Sequence, residues 1–157
     1  MKTMKPLRFI VAVGLTLSVG IIGGIFTSTT TEWYLSLNKP VFQPPGWLFA
    51  PVWTLLYLLM GYSLFIIWQK GTEGEKIGRA LTLFFIQLAV NGVWSFIFFT
   101  AQNVLLALVD ILILWLLLIF TIRAFRQISR KAGLLLVPYF IWVTFATVLN
   151  FTILIMN

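Results

Sequence analysis

Neither cysteine nor histidine occurs in the 157 residues, which excludes thiolate nucleophiles, disulfides, Cys/His metal sites and imidazole acid–base catalysis. The side chains left with chemistry to offer are tryptophans, a pair of amides and one isolated carboxylate. Trp53 and Trp142 present broad faces that can stack on a planar ring, and an indole that can be oxidised. Gln87 and Asn91 are four residues apart and share one face of a helix, with Trp94 and Ser95 a turn further on. Asp110 stands alone, and one carboxylate cannot supply the pair that glycosidase or aspartic-protease chemistry uses. No metal site is expected.

The elements that must position these residues follow from composition. Hydrophobic residues make up 61% of the chain and charged ones 10%, against about 25% charged in an average soluble domain. A soluble fold of this length cannot hide so much apolar surface, so the solvent is lipid. Phe9–Phe26, Trp47–Gln69, Ala80–Gln102 and Ala132–Asn157 contain no charge, and Asn103–Ile122 contains only Asp110. A helix needs about 20 residues to cross the hydrocarbon core, so each run crosses once. Barrel strands would alternate polar and apolar residues, and these runs do not. The expected fold is an all-α integral membrane bundle of five transmembrane helices, near 7–27, 47–69, 79–99, 103–123 and 133–156, in a single domain spanning 1–157. Lys2, Lys5 and Arg8 before an apolar run also suit a secretory signal, but no clean cleavage pattern follows, and Gly20, Gly23 and Gly24 suit a packed helix.

Charge sets the orientation. Five crossings put Lys2, Lys5, Arg8, Lys70, Lys76, Arg79, Arg123, Arg126, Arg130 and Lys131 on one side, and Lys39 alone on the other. Basic residues accumulate on the cytoplasmic side, so the N-terminus is expected in the cytoplasm and the C-terminus outside. The net charge of +7 reads as this topology signal rather than as affinity for nucleic acid.

Residues 28–46 form the longest connection, on the charge-poor side. Pro40, Pro44 and Pro45 hold it extended, and Trp33, Tyr34 and Trp47 give it an aromatic character. Such a segment can cover the mouth of a bundle. For Trp33 and Trp47 taken alone, anchoring at the membrane interface is the plainer reading. Trp53 and Trp142 fall inside their spans, where lipid offers the indole N–H no acceptor, so both should face the interior. Periodicity alone favours a packed aromatic core there. Interhelical hydrogen bonding is the ordinary role of amides at this depth, and Asp110 should face inward and find helix-end or hydroxyl partners, or be protonated. Gly20–Gly24 offers three uses: a dimer seam, tight packing within the bundle, or room for a flat ligand. Pro138 should kink the last helix near Tyr139.

The run from Pro44 to Ser63, PPGWLFAPVWTLLYLLMGYS, resembles the signature of the translocator protein family, also known as tryptophan-rich sensory proteins or peripheral-type benzodiazepine receptors. Gln87–Trp94 with Ile97–Phe99 is similar to that family's third helix, Ala107–Asp110 to its fourth, and Pro138–Tyr139, Trp142, Phe145–Thr147 and Leu149–Asn150 to its fifth. The likeness runs along essentially the whole chain.

The resemblance implies a five-helix bundle, usually a homodimer, whose pocket lies within one protomer under the first loop. It reverses the core reading of Trp53 and Trp142 and implies a ligand site that also includes Phe49, Gln87, Asn91, Trp94, Ala146 and Leu149. It implies binding of porphyrins or haem-like tetrapyrroles and hydrophobic drug-like molecules, with transport, sensing or light- and oxygen-dependent degradation of protoporphyrin IX as possible uses; in the last, Trp53 and Trp142 are the candidate photo-redox groups. No cofactor is required. Without histidine or cysteine, haem iron lacks its commonest axial ligands. For Gln87 and Asn91 the resemblance adds contact with a ligand carbonyl or carboxylate as an alternative to interhelical bonding. The cholesterol motif of animal members is missing, since Phe151 stands at the tyrosine position and no basic residue follows. The expected location is the plasma membrane of a prokaryote.

Overall fold

Five helices long and apolar enough to cross a bilayer account for nearly all of the computed structural model, which describes residues 4–157. Lys2, counted above among the basic residues of the N-terminal side, lies outside the described residues. The elements in order are α1 (Met4–Phe26), the short α2 (Glu32–Ser36), α3 (Gly46–Thr72), α4 (Gly78–Ser95), α5 (Val104–Ile128), α6 (Arg130–Leu135) and α7 (Val137–Met156). Their outer faces carry exposed leucine, isoleucine, valine and phenylalanine, the surface that hydrocarbon rather than water would cover.

Polar groups inside the bundle are joined across helices. Thr16 Oγ1 on α1 donates to Tyr57 O on α3 at 2.7 Å, and Ser63 Oγ on α3 donates to Ala132 O on α6 at 2.7 Å. Asn150 Nδ2 on α7 donates to Val104 O at the start of α5, at 3.0 Å. Small residues bring the backbones together at these points. A Cβ on Gly61 would stand 2.6 Å from Val13 Cα, and one on Gly20 would stand 2.5 Å from the Tyr57 ring. Gly20 therefore packs inside the bundle, while Gly24 meets nothing within 4 Å.

Two spans are interrupted where the sequence suggested continuous helix. Past Ser95, α4 continues as one π-helical turn, Phe96–Thr100, with Ala101 N–H bonded to Phe96 O at 2.9 Å. Gln102 then takes a left-handed φ of 53°, and Asn103 caps α5 by accepting from Leu106 N–H at 2.9 Å. The last span starts earlier than expected, at Arg130, and breaks at Leu136 rather than kinking near Tyr139. Pro138 lacks an N–H, so it sits better in the first turn of a new helix than within an old one. The break is placed accordingly, two residues before the proline.

The α1–α3 crossing has no room for a side chain at Gly61. Gly61→Leu is expected to lower stability by about 1–3 kcal/mol or more through overpacking, read as a reduced thermal midpoint in detergent. Gly14→Ala, where an added Cβ meets nothing within 4 Å, should leave the midpoint nearly unchanged.

Candidate functional site

A cavity of about 400 Å³ lies inside the bundle toward the connection between α1 and α3, within the range of small-molecule sites. All five spans and the connection contribute to its wall. Trp53 and Tyr57 come from α3, one helical turn apart. Trp142, Ala146, Leu149 and Asn150 come from α7, and Asn91, Trp94 and Ser95 from α4. Phe49 stands on α3 a turn before Trp53, and Tyr34 and Gln43 close the cavity from the connection. The lining contains no Asp, Glu, Lys or Arg. It is largely aromatic and apolar, with a few amides and hydroxyls.

The two central tryptophans sit in separate aromatic groups. Trp53 lies 5.5 Å from the Tyr57 ring and 6.0 Å from that of Tyr139, while Trp142 lies 6.2 Å from Phe49 and 5.6 Å from Phe145. The indole N–H groups also differ in use. Trp94 donates to Asn150 Oδ1 at 3.2 Å, and Trp115, outside the cavity, donates to Thr144 Oγ1 at 2.9 Å. Among the described residues, neither Trp53 nor Trp142 has a protein acceptor. A half-buried indole usually finds one, and both of these residues line the cavity. Gln43 Oε1 is buried and likewise unpaired, which adds an unused acceptor. Tyr57 Oη, by contrast, donates to Asn91 Oδ1.

Of the residues singled out in the sequence, Trp53, Trp142, Phe49, Asn91, Trp94, Ala146 and Leu149 line this cavity. Gln87 does not. It is fully buried one turn deeper on α4, where its Oε1 accepts from Tyr139 Oη at 3.2 Å. Asp110 is half-buried on α5 away from the cavity, and its Oδ2 has no hydrogen-bond partner. The helix-end or hydroxyl partner expected for it is therefore not found among the described residues. Tyr34 and Tyr57 were not singled out as site residues, although Tyr57 follows Trp53 by four positions and so falls on the same helix face.

The connection is an ordered lid. Thr31 caps α2 by accepting from Tyr34 N–H at 3.3 Å, which fixes Trp33 and Tyr34 over the π-helical turn. Trp33 packs edge-on against Phe98 at 5.7 Å, and Tyr34 lies against Phe99 at 5.5 Å. Trp33 is half-buried against protein, whereas Trp47 is 73% exposed. Lys39 Nζ donates to Tyr34 O at 2.6 Å and Leu37 O at 2.9 Å, folding the lid on itself. Gln43 Nε2 donates to Tyr34 Oη at 3.0 Å. Burial pushes the Tyr34 phenol above its ordinary pKa, so it stays protonated at neutral pH.

The far edge of the lid is clasped to the end of α7. Asn38 N–H donates to Asn157 Oδ1 at 2.8 Å, and Asn157 Nδ2 returns a bond to Asn38 O at 3.0 Å. Asn38 Nδ2 reaches Met156 O at 3.2 Å. Both asparagines are exposed, so each bond contributes only about 0.5–1.5 kcal/mol net.

The model of the TspO/MBR family matches residues 12–156. A tryptophan-rich protein TspO from Chlorobaculum tepidum is 45% identical over 152 residues, covering 96% of each chain. Its counterpart from Archaeoglobus fulgidus is 43% identical over 155 residues, covering 98% of this chain and 99% of its own. The human translocator protein is 41% identical over 123 residues, covering 78% of this chain and 73% of its own.

Loss of the clasp should loosen the lid without unfolding the bundle. Asn157→Ala is expected to speed amide hydrogen exchange across residues 32–43 by several-fold, in line with the loss of bonds worth about 1 kcal/mol each. Exchange in the core of α3 should be unchanged.

Proposed function

The chain belongs to the TspO/MBR family, and from that premise we propose that it is a membrane receptor or carrier that binds a flat hydrophobic ligand, a porphyrin or related tetrapyrrole, in the cavity under the lid. The observation that carries this reading is a cavity without charged side chains in which Trp53 and Trp142, neither with a protein acceptor among the described residues, stand with Phe49, Asn91 and Trp94. A planar macrocycle supplies faces on which the rings can stack. Asn91, Trp94, Phe49, Ala146 and Leu149 give it apolar and amide contacts. Gln43 Oε1 suits a donor at its edge. With no histidine or cysteine in the sequence, recognition rests on stacking, burial and hydrogen bonds rather than on iron ligation. The orientation belongs to the same reading: the basic face is cytoplasmic, and the lid lies on the opposite side.

A second reading, photo-oxidative degradation of bound protoporphyrin IX, draws on the ring contacts of Trp53. It touches Tyr57 and Tyr139, both buried, so an electron given up by the indole can be replaced from a neighbouring phenol. Oxygen is the oxidant in this reading and the macrocycle the group oxidised: the hole passed to the phenol is filled by an electron from the macrocycle, so the side chains end as they began.

Trp53→Phe and Trp142→Phe keep an aromatic ring and remove the donor. Each is expected to weaken protoporphyrin IX binding by about 5–30-fold, from poorer stacking and lost ring contact, measured by tryptophan quenching or titration of the purified protein. Trp115→Phe, whose donor serves Thr144, should bind as the parent does. Unchanged affinity in both cavity variants would remove the ligand from this site. Illuminating the protoporphyrin complex in air separates the two readings. A new absorbing product that forms only in light and is lost in the Trp53 variant supports degradation, and an unchanged spectrum supports binding alone.

A further inference from the structure

The basic face holds a second concavity, of about 490 Å³, between α3 and the break that separates α6 from α7. Leu59, Leu134, Leu135 and Pro138 form its apolar wall, and Arg130 and Lys131 complete the lining. The helix break creates the space. Ser63 Oγ holds α6 to α3 through Ala132 O, and the chain then turns at Leu136, with Pro138 in the first turn of α7 on the concavity wall. Arg130 opens α6 at the basic end of the last span, and Pro138 stands in the first turn of α7 beyond the break. The concavity therefore runs from the polar end of the span toward the middle of the membrane.

The two cations have no protein anion to meet. The only ion pair among the described residues is Lys70 with Glu73, at 2.7 Å. Lys131 Nζ donates to Tyr62 Oη at 2.9 Å and lies 5.0 Å from the centre of that ring, so it is held in place by a neutral partner. Arg130 is exposed and has no hydrogen-bond partner among the described residues. A positive rim above an apolar groove of membrane depth matches one molecule in charge and in shape.

We propose that this groove is a binding site for an anionic phospholipid, with the phosphate between Arg130 and Lys131 and one acyl chain along Leu59, Leu134 and Pro138. The site is separate from the cavity under the lid and does not depend on what that cavity binds. Two cations at the headgroup level, Lys131 held by Tyr62 and Arg130 beside it in sequence, select a net negative lipid over a zwitterionic one. The apolar wall distinguishes the lipid from a free phosphate.

The test is the affinity of the purified protein in detergent for dioctanoyl phosphatidylglycerol, dioctanoyl phosphatidylcholine and inorganic phosphate, read by native mass spectrometry and by thermal stabilisation. The glycerol lipid is expected to bind roughly tenfold or more tightly than the choline lipid, and inorganic phosphate should give no stabilisation. Arg130→Gln with Lys131→Gln should abolish that preference, while Lys76→Gln with Arg79→Gln, the same charge removed elsewhere on the basic face, should keep it. Leu134→Trp, which retains both cations and fills the groove from an exposed position, should weaken binding of the glycerol lipid several-fold. Equal affinity for the two lipids in the parent protein overturns the proposal whatever the variants do. So does an equal loss in the two double variants, stabilisation by phosphate alone, or full binding to a correctly folded Leu134→Trp protein.

Discussion

In hydrocarbon a polar group without a partner has no water to fall back on, and this constraint shapes the whole molecule. Thr16, Ser63 and Asn150 each bond to a backbone carbonyl on another element. Their helices are thereby tied at fixed points, and glycines at Gly20 and Gly61 let the backbones come close enough to be tied. Against that background the unused groups are conspicuous. Asp110 Oδ2, Gln69 Nε2 and Gln87 Nε2 lie outside the cavity, while Gln43 Oε1 and the two tryptophans belong to its lining, where the proposed ligand would meet them.

The five spans were legible because their cause is bulk composition. Long charge-free runs separated by basic loops have few alternatives in a 157-residue chain. The interruptions were not legible, because their causes are local and geometric. The π-helical turn at Phe96–Thr100 leaves no mark in the hydrophobic pattern, yet it brings Phe98 and Phe99 together against the lid. Pro138 did signal a disturbance, but its position within the first turn of α7 had to come from the break at Leu136.

The site was legible in part for the same reason. Spacing by four residues placed Asn91, Trp94 and Ser95 on one face, and that face lines the cavity. Gln87 shares the face but lies a turn deeper, behind Tyr139, and helical spacing alone cannot say where along a helix a cavity ends. Tyr34 and Gln43 lie on the lid, whose fold depends on contacts with α7 and the π-helical turn that sequence spacing does not encode. The pairing of Asn38 with Asn157 joins residues 119 apart in sequence, and no local pattern announces it.

The neutrality of the cavity constrains how the proposed ligand lies in it. A carboxylate placed among Trp53, Trp142 and Leu149 would be stripped of water with no cation to meet it, which costs far more than any hydrogen bond returns. Lys39 is the one basic residue near the lid, and its ammonium is engaged by the carbonyls of Tyr34 and Leu37. A tetrapyrrole carrying acidic side chains therefore enters ring first, with the acids left toward the lid and water. The clasp closing that lid is made of exposed bonds, whereas the joints between helices are buried. Under the proposed function, exchange of the ligand follows the weaker set: the lid lifts while the bundle beneath it stays closed.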